Sequence, residues 1–253
     1  MTGPVNSTSI RLSGVTKTFG HGREAVTALS DIDLTVAERE VVCLVGASGC
    51  GKSTILNLVA GLDEPTSGSV FTPSRPALMF QDPALFPWLT VRANVELPMR
   101  LAGVGKQERR QRAEALLATV HLSGFARKRP HQLSGGMRQR AAMARAFAQD
   151  ADILLMDEPF GALDAMTRDA LHDELEALTR QRGLTVLFVT HNVREAARLG
   201  DRIVVLSPRP GRVKATFDVD IAHPRRIESP DVAALALEVT NSLRAEALVH
   251  ARS

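Results

Sequence analysis

Five short apolar runs set the frame of this chain: Val41-Val42-Cys43-Leu44-Val45, Ala77-Leu78-Met79-Phe80, Ile153-Leu154-Leu155-Met156, Thr185-Val186-Leu187-Phe188-Val189 and Ile203-Val204-Val205-Leu206. A strand with one wet face alternates apolar and polar residues, whereas a strand covered on both faces does not. Each run is therefore predicted to be a buried strand of a parallel sheet. Helical spacing fills the gaps between them. Ile55, Leu58, Val59 and Leu62 follow the first run, with Gly61 able to end that helix. Leu171, Leu175 and Leu178 follow the third, with Gly183 as the stop, and a short helix reaches Gly200 before the fifth. From Val91 to Ala148 the pattern is helical. There the charge run Lys106–Arg112 reads as the solvated face of a helix holding Leu116, Leu117 and Val120. Ser134 is placed as the N-cap of the next helix, with Met137, Ala141, Ala144 and Ala148 on its packing side and Arg138, Arg140 and Arg145 pointing elsewhere.

The regions outside this alternation read differently. Ile10–Val15 alternates, Phe19 follows, Gly20–Arg23 reads as a hairpin turn, and Leu29, Ile32, Leu34 and Val36 continue as β structure. These strands are too closely spaced for βαβ units and predict a small antiparallel sheet beside the main core. Residues 1–9 are polar and are expected to fray. Residues 61–76 read as turns, and the tail, 213–253, as one amphipathic helix through Leu235, Val239 and Leu243.

Between the first strand and its helix lies Gly46-Ala47-Ser48-Gly49-Cys50-Gly51-Lys52-Ser53-Thr54, which fits the phosphate-loop pattern in its required strand–loop–helix context. Glycines let the backbone curl with its N–H groups inward, and the helix opening at Lys52 adds the positive end of its dipole. Lys52 is expected to reach the β- and γ-phosphates and the Ser53 hydroxyl to hold Mg²⁺. In open parallel sheets, ligands bind beyond the carboxyl ends of the strands. Gln81, Asp157, Glu158 and His191 all fall at such ends. Asp157 is expected to hold Mg²⁺ with Ser53, and Glu158 to act as the general base on a water in line with the γ-phosphate. Gln81 suits orienting that water or ligating Mg²⁺, and His191 suits donating to the γ-phosphate. Leu133-Ser134-Gly135-Gly136-Met137 forms a second nest at a helix N-terminus, which one phosphate loop does not need. It is either a plain cap or a site for a nucleotide held by another copy of the chain.

Length and charge narrow the reading without redirecting it. The 253 residues suffice for one α/β domain with a small subdomain, and a net charge of +3 gives no concentrated basic face that would demand nucleic acid. The two cysteines, Cys43 and Cys50, lie in a predicted buried strand and in the loop, so neither a disulfide nor a metal site is expected. Cys50 reads as a small tolerated side chain. No signal peptide is recognisable, and no run approaches the ~20 apolar residues of a membrane helix, so any membrane link is expected to run through a partner.

Together, Gly46–Thr54, Gln81, Leu133–Gln139, Ile153–Glu158, Gly161-Ala162-Leu163-Asp164 and His191 resemble the Walker A, Q-loop, signature, Walker B, D-loop and H-loop motifs of ATP-binding cassette ATPases. The resemblance covers residues 10–212. It implies a P-loop NTPase (RecA-like) core with an N-terminal antiparallel β subdomain, an α-helical subdomain inserted at about 88–149, and a short C-terminal tail. It also implies a Mg²⁺-dependent ATP hydrolase working as a head-to-tail homodimer, with each ATP between one Walker A and the other copy's Ser134-Gly135-Gly136. Phe19 stands where the family stacks an aromatic ring on adenine. Tyr is common there and this chain has none, so a stack without a hydroxyl contact is expected. The signature ends in Met137 where Gln is commoner. Gln81–Val91, Phe160–Arg168 and Leu206–Arg212 look like the nitrate/sulfonate/taurine group of bacterial importers. That likeness implies an ATPase at the cytoplasmic face of the inner membrane, bound to integral permease subunits and served indirectly by an extracytoplasmic solute-binding protein. Leu85, Phe86 and Trp88 would form part of the permease groove. The alternative is a soluble cassette ATPase acting on nucleic acid or ribosomes.

Overall fold

A computed structural model describes residues 7–250, with side chains described through Arg244 except that of Arg23. The main sheet has six strands in the order β5-β6-β7-β3-β8-β9. These are β3 (Val41–Gly46), β5 (Ala77–Met79), β6 (Ile153–Asp157), β7 (Thr185–Val189), β8 (Arg202–Leu206) and β9 (Val213–Asp218). All neighbours are parallel except β8 and β9. The unbroken apolar runs have a simple cause. In each inner strand alternate residues enter two different cores. Cys43, Val45, Leu154, Met156, Val186, Phe188, Ile203 and Val205 face one core; Val42, Leu44, Ile153, Leu155, Leu187, Val189, Val204 and Leu206 face the other.

The second core is closed by α1 (Lys52–Val59) and by a three-stranded antiparallel sheet, β2-β1-β4. Its strands are β1 (Thr8–Phe19), β2 (Val26–Ala37) and β4 (Ser67–Phe71). The first core takes in α2 (Val91–Leu101), α3 (Lys106–Thr119) and α4 (Gly135–Phe147), and then α5 (Ala165–Arg182), α6 (Val193–Leu199) and α7 (Pro230–His250).

Several expectations need correction. The turn-rich stretch at 61–76 contains β4, whose residues are nearly all exposed and so leave no apolar signature. The tail is more than a helix, because β9 adds an antiparallel edge to the main sheet before α7 begins. Thr8 and Ser9 belong to β1, with Ser9 buried and accepting from the Thr185 hydroxyl at 3.1 Å. Of the stretch expected to fray, residues 1–6 lie outside the described residues. The arginines of α4 do lie off its packing side, as expected, and there they bind backbone carbonyls. Arg138 donates to Leu133 O, Arg140 to Val120 O and His121 O, and Arg145 to Pro83 O and Ala84 O. On α3, Arg109 pairs with Glu96, Arg110 with Glu114, and Arg112 with Glu108 and Asp150, so the arginines of this run are matched by carboxylates.

Candidate active site

The topology brings the carboxyl ends of β3, β5, β6, β7 and β8 to one edge. A cavity of about 500 Å³ opens there, lined by Phe19, Val26, Ala28, Ser48, Gly49, Gly51, Lys52, Ser53, Thr54, Gln81, Asp157, Glu158 and Arg209. The loop before α1 builds its floor. Gly51 has φ +99°, and a side chain there would run into Leu29, so only glycine fits this tight bend. Lys52 is 7 % exposed, and its Nζ donates to Gly46 O (2.8 Å) and Ala47 O (3.0 Å). Gly46 and Ala47 thus back the loop rather than line its mouth. Cys50 is buried behind it, its Sγ 3.8 Å from Lys52 Nζ. Burial pushes the Cys50 thiol up, outweighing Lys52, and keeps it protonated at neutral pH.

Asp157 closes β6 beside the Ser53 hydroxyl. Burial pushes its carboxyl up, the Ser53 hydroxyl is the main opposing influence, and the charge of Glu158 pushes the same way as burial. Glu158 has φ +45°, a conformation few non-glycine residues adopt, with its N–H bonded to Val189 O at 2.9 Å. The turn swings its side chain out of the strand direction. Its Oε2 lies 3.2 Å from His191 Nδ1 and 3.4 Å from Gln81 Nε2. Three residues from three strand ends therefore meet around one carboxylate oxygen.

His191 is aimed by the turn that follows β7. The Thr190 hydroxyl accepts from Asn192 N (3.0 Å) and donates to Glu195 Oε2 (2.7 Å), while Asn192 caps α6 through Arg194 N and Glu195 N. Burial pushes the Glu195 carboxyl up, with the Thr190 hydroxyl first among the influences that lower it. At the opposite end of the cavity Phe19 is 45 % exposed, with Lys17 Nζ 4.9 Å from its ring centroid. A flat, accessible face there suits a stacked base.

Ser134, Gly135 and Gly136 are not in this lining. They cap and open α4, Ser134 Oγ accepting from Met137 N at 3.2 Å. A side chain at Gly136 would meet Leu163 and Ala162 O, so this turn sits against the 161–164 segment. The structure thus unites Phe19, the phosphate loop, Gln81, Asp157 and Glu158 in one cavity, brings His191 to Glu158 from outside its lining, and leaves the second nest outside the pocket of its own chain.

Arg209 was not anticipated. It comes from the segment after β8, which is anchored by Gly211 N to Ala28 O (2.8 Å) and Ser30 N to Gly211 O (3.0 Å). The available signal was positional: β8 ends at the same edge as the other strands, and its following loop carries two arginines.

The oxygen-rich pair of Ser53 and Asp157 fits a hard divalent cation, and Lys52 with the loop N–H groups fits a phosphate chain. Comparison with known proteins agrees with this chemistry. The family model described as ABC transporter matches residues 29–161. An uncharacterized ABC transporter ATP-binding protein of Methanocaldococcus jannaschii is 42 % identical over 94 % of this chain and 92 % of its own length. A taurine import ATP-binding protein of Burkholderia thailandensis is 45 % identical over 83 % of this chain and 84 % of its own. Among solved structures, a bacterial ABC transporter cassette in dimeric form superposes with a TM-score of 0.79 at 37 % identity, covering 84 % of this chain and 100 % of that one. A dimeric post-hydrolysis state bound to ADP and Pi has the same TM-score at 36 % identity. A matched family model over more than half the chain, with relatives above 40 % identity along nearly all of it, leaves one conclusion: the chain belongs to the ABC transporter family, as one of its ATP-binding, ATP-hydrolysing subunits.

Proposed function

We propose that this subunit energises uptake of a small anionic or zwitterionic solute of the nitrate, sulfonate or taurine kind through membrane permease subunits. The observation that carries the catalytic part is the meeting of Glu158, His191 and Gln81 at the mouth of a pocket floored by Lys52. In this reading Glu158 removes the proton from the attacking water, Gln81 orients that water, and His191 holds the Glu158 carboxylate and the γ-phosphate in register. Lys52 and the N–H groups of Gly49 to Thr54 cradle the phosphates, and Phe19 stacks on the base. Ser53, Asp157 and Gln81 would hold Mg²⁺, which when bound neutralises charge developing on the phosphates. Arg209 adds positive charge at the rim.

The position of Ser134-Gly135-Gly136 outside its own pocket supports a head-to-tail homodimer in which each copy completes the other's site. Import is supported by the taurine import relatives. Docking to a permease is supported by an exposed aromatic patch held rigidly from below. Trp88 is 67 % exposed and stacks at a tilt on Phe86, with ring centroids 5.4 Å apart. Asn94, fully buried, clamps Phe86 N (2.8 Å) and Phe86 O (3.2 Å), and Arg145 holds Pro83 and Ala84. Leu85 packs half-buried on the core and is no part of that surface. Among the described residues no helix is long and apolar enough to cross a membrane. We place the subunit at the cytoplasmic face through its permease, with an extracytoplasmic binding protein selecting the solute.

The experiment is Glu158→Gln in the purified chain. ATP binding should persist, turnover should fall by about 10²–10⁴ as for loss of a general base, and Mg-ATP should drive the variant into dimers on gel filtration. Parental turnover would exclude Glu158 as the base.

A further inference from the structure

Behind the catalytic loops lies a buried charged cluster that the proposed mechanism does not use. Glu195 of α6 is 5 % exposed. Its Oε2 accepts from the Thr190 hydroxyl at 2.7 Å, and its Oε1 lies 3.6 Å from Arg168 Nε. Arg168 in turn donates through Nη2 to Leu163 O at 2.8 Å. One carboxylate therefore reaches two loops. On one side, Thr190 fixes the turn that points His191 at Glu158. On the other, Arg168 holds the 161–164 segment, whose Ala162 and Leu163 abut Gly136 of the second nest.

A second layer keeps Glu195 in place. His172 of α5 is fully buried, edge-on to Phe160 with ring centroids 4.4 Å apart. Arg198 Nη1 lies 3.2 Å from His172 Nδ1. A guanidinium can only donate, so Nδ1 accepts and the imidazole proton sits on Nε2. That nitrogen faces Glu195 Oε1 at 3.9 Å. Arg198 is itself paired with Asp169 at 3.2 Å and with Asp173. The carboxylate thus accepts a short hydrogen bond from Thr190, while Arg168 Nε and the His172 Nε2–H stand near it without hydrogen-bond partners of their own. Removing the Thr190 hydroxyl strips the buried carboxylate of that short hydrogen bond.

We propose that Glu195 is a positioning residue which, through Thr190 and Arg168, fixes His191 and the 161–164 segment relative to each other. The proposal rests on the function given above. In that reading the two loops serve different pockets of the dimer: His191 works on its own nucleotide, while the 161–164 segment lies against the nest that faces the other. Glu195 is then the physical link between hydrolysis in one pocket and the shape of the next.

The test uses the purified full chain and ATP. Thr190→Val is nearly isosteric and removes the hydroxyl that bonds both Glu195 Oε2 and Asn192 N, and so the tie between the His191 turn and Glu195. It should lower kcat by about tenfold, the scale of a lost charge-assisted hydrogen bond, with KM for ATP and direct nucleotide affinity unchanged. Thr190→Ser, which restores the hydroxyl, should recover most of that loss. In Glu195→Gln, amide hydrogen exchange should rise at both 161–164 and 190–192 while the core strands keep parental protection. Parental kcat in Thr190→Val, failure of Ser to rescue, or faster exchange at only one of the two loops would overturn the link. Glu158→Gln run alongside separates the two readings. If that variant keeps parental turnover, the site assignment fails and takes this inference with it. If it is inactive and Thr190→Val is not impaired, the positioning role alone fails.

Discussion

Lys52 and Asp157 bring opposite charges into one partly closed space, and two backbone carbonyls hold the Lys52 ammonium. Truncation there should be costly. Lys52→Ala should weaken ATP binding by at least about tenfold, the scale of lost charge-assisted bonds, which fluorescent-nucleotide titration would read. Phe19→Ala removes a stacking face alone and should raise KM for ATP about three- to tenfold, with kcat little changed. His172 offers a pH test. Burial, followed by Arg198 and then Arg168, holds its imidazole down at about 3. Glu195 and Asp169, each with an oxygen 3.9 Å from the ring, are the acidic groups that face it. The unfolded chain takes up this proton below about 6.5, whereas the folded chain does so only near 3, so acid favours unfolding throughout that window. The contribution is about 1.4 kcal/mol per pH unit. Urea unfolding of His172→Gln should accordingly show a shallower loss of stability between pH 6.5 and pH 4 than the parent. The phosphate-loop residues were readable because they are contiguous and their geometry is local. Arg209 and Glu195 were not, because their roles depend on contacts between segments far apart in the chain.

Strands buried on both faces announced themselves as apolar runs, and β3, β6, β7 and β8 match those runs closely. β4 and β9 gave no such signal. β4 is exposed, and β9 alternates half-buried and exposed residues over only six positions. Backbone pairing to β1 and to β8 makes them strands, and pairing leaves no trace in composition. Helix ends were more legible, since caps are chemical. Ser134, read as a cap, accepts from a backbone N–H at its helix start, and Asp164 and Asn192, which were not read as caps, do the same. Gly183 ends α5 at φ +62°. Gly183→Ala should cost about 1–2 kcal/mol, the penalty of a left-handed L-residue, measurable as a lower denaturation midpoint. The arginines of α4 were rightly placed off its packing side, but their partners were not legible, because the carbonyls they meet belong to segments outside the helix. Their carbonyl partners lie on loops that follow other elements, so α4 works as a brace between those loops and the core.

The two cores on either side of the main sheet give the molecule a rigid slab with functional loops along a single edge. The proposed import cycle needs two further surfaces, one for a second copy and one for a permease. Trp88→Ala should reduce recovery of permease subunits in a pull-down from detergent-solubilised membranes, without lowering ATP binding by the purified chain. Which solute is carried is not encoded in this slab, because no part of it meets the solute in that cycle. The order of strands was also beyond local pattern: β3 lies between β7 and β8, far from its sequence neighbours. Finally, β9 covers the outer rim of β8, and its removal would bare a row of backbone N–H and C=O groups on an apolar strand. A version cut after Arg212 would retain every motif, yet it should be recovered as aggregates whose growth begins at that opened margin.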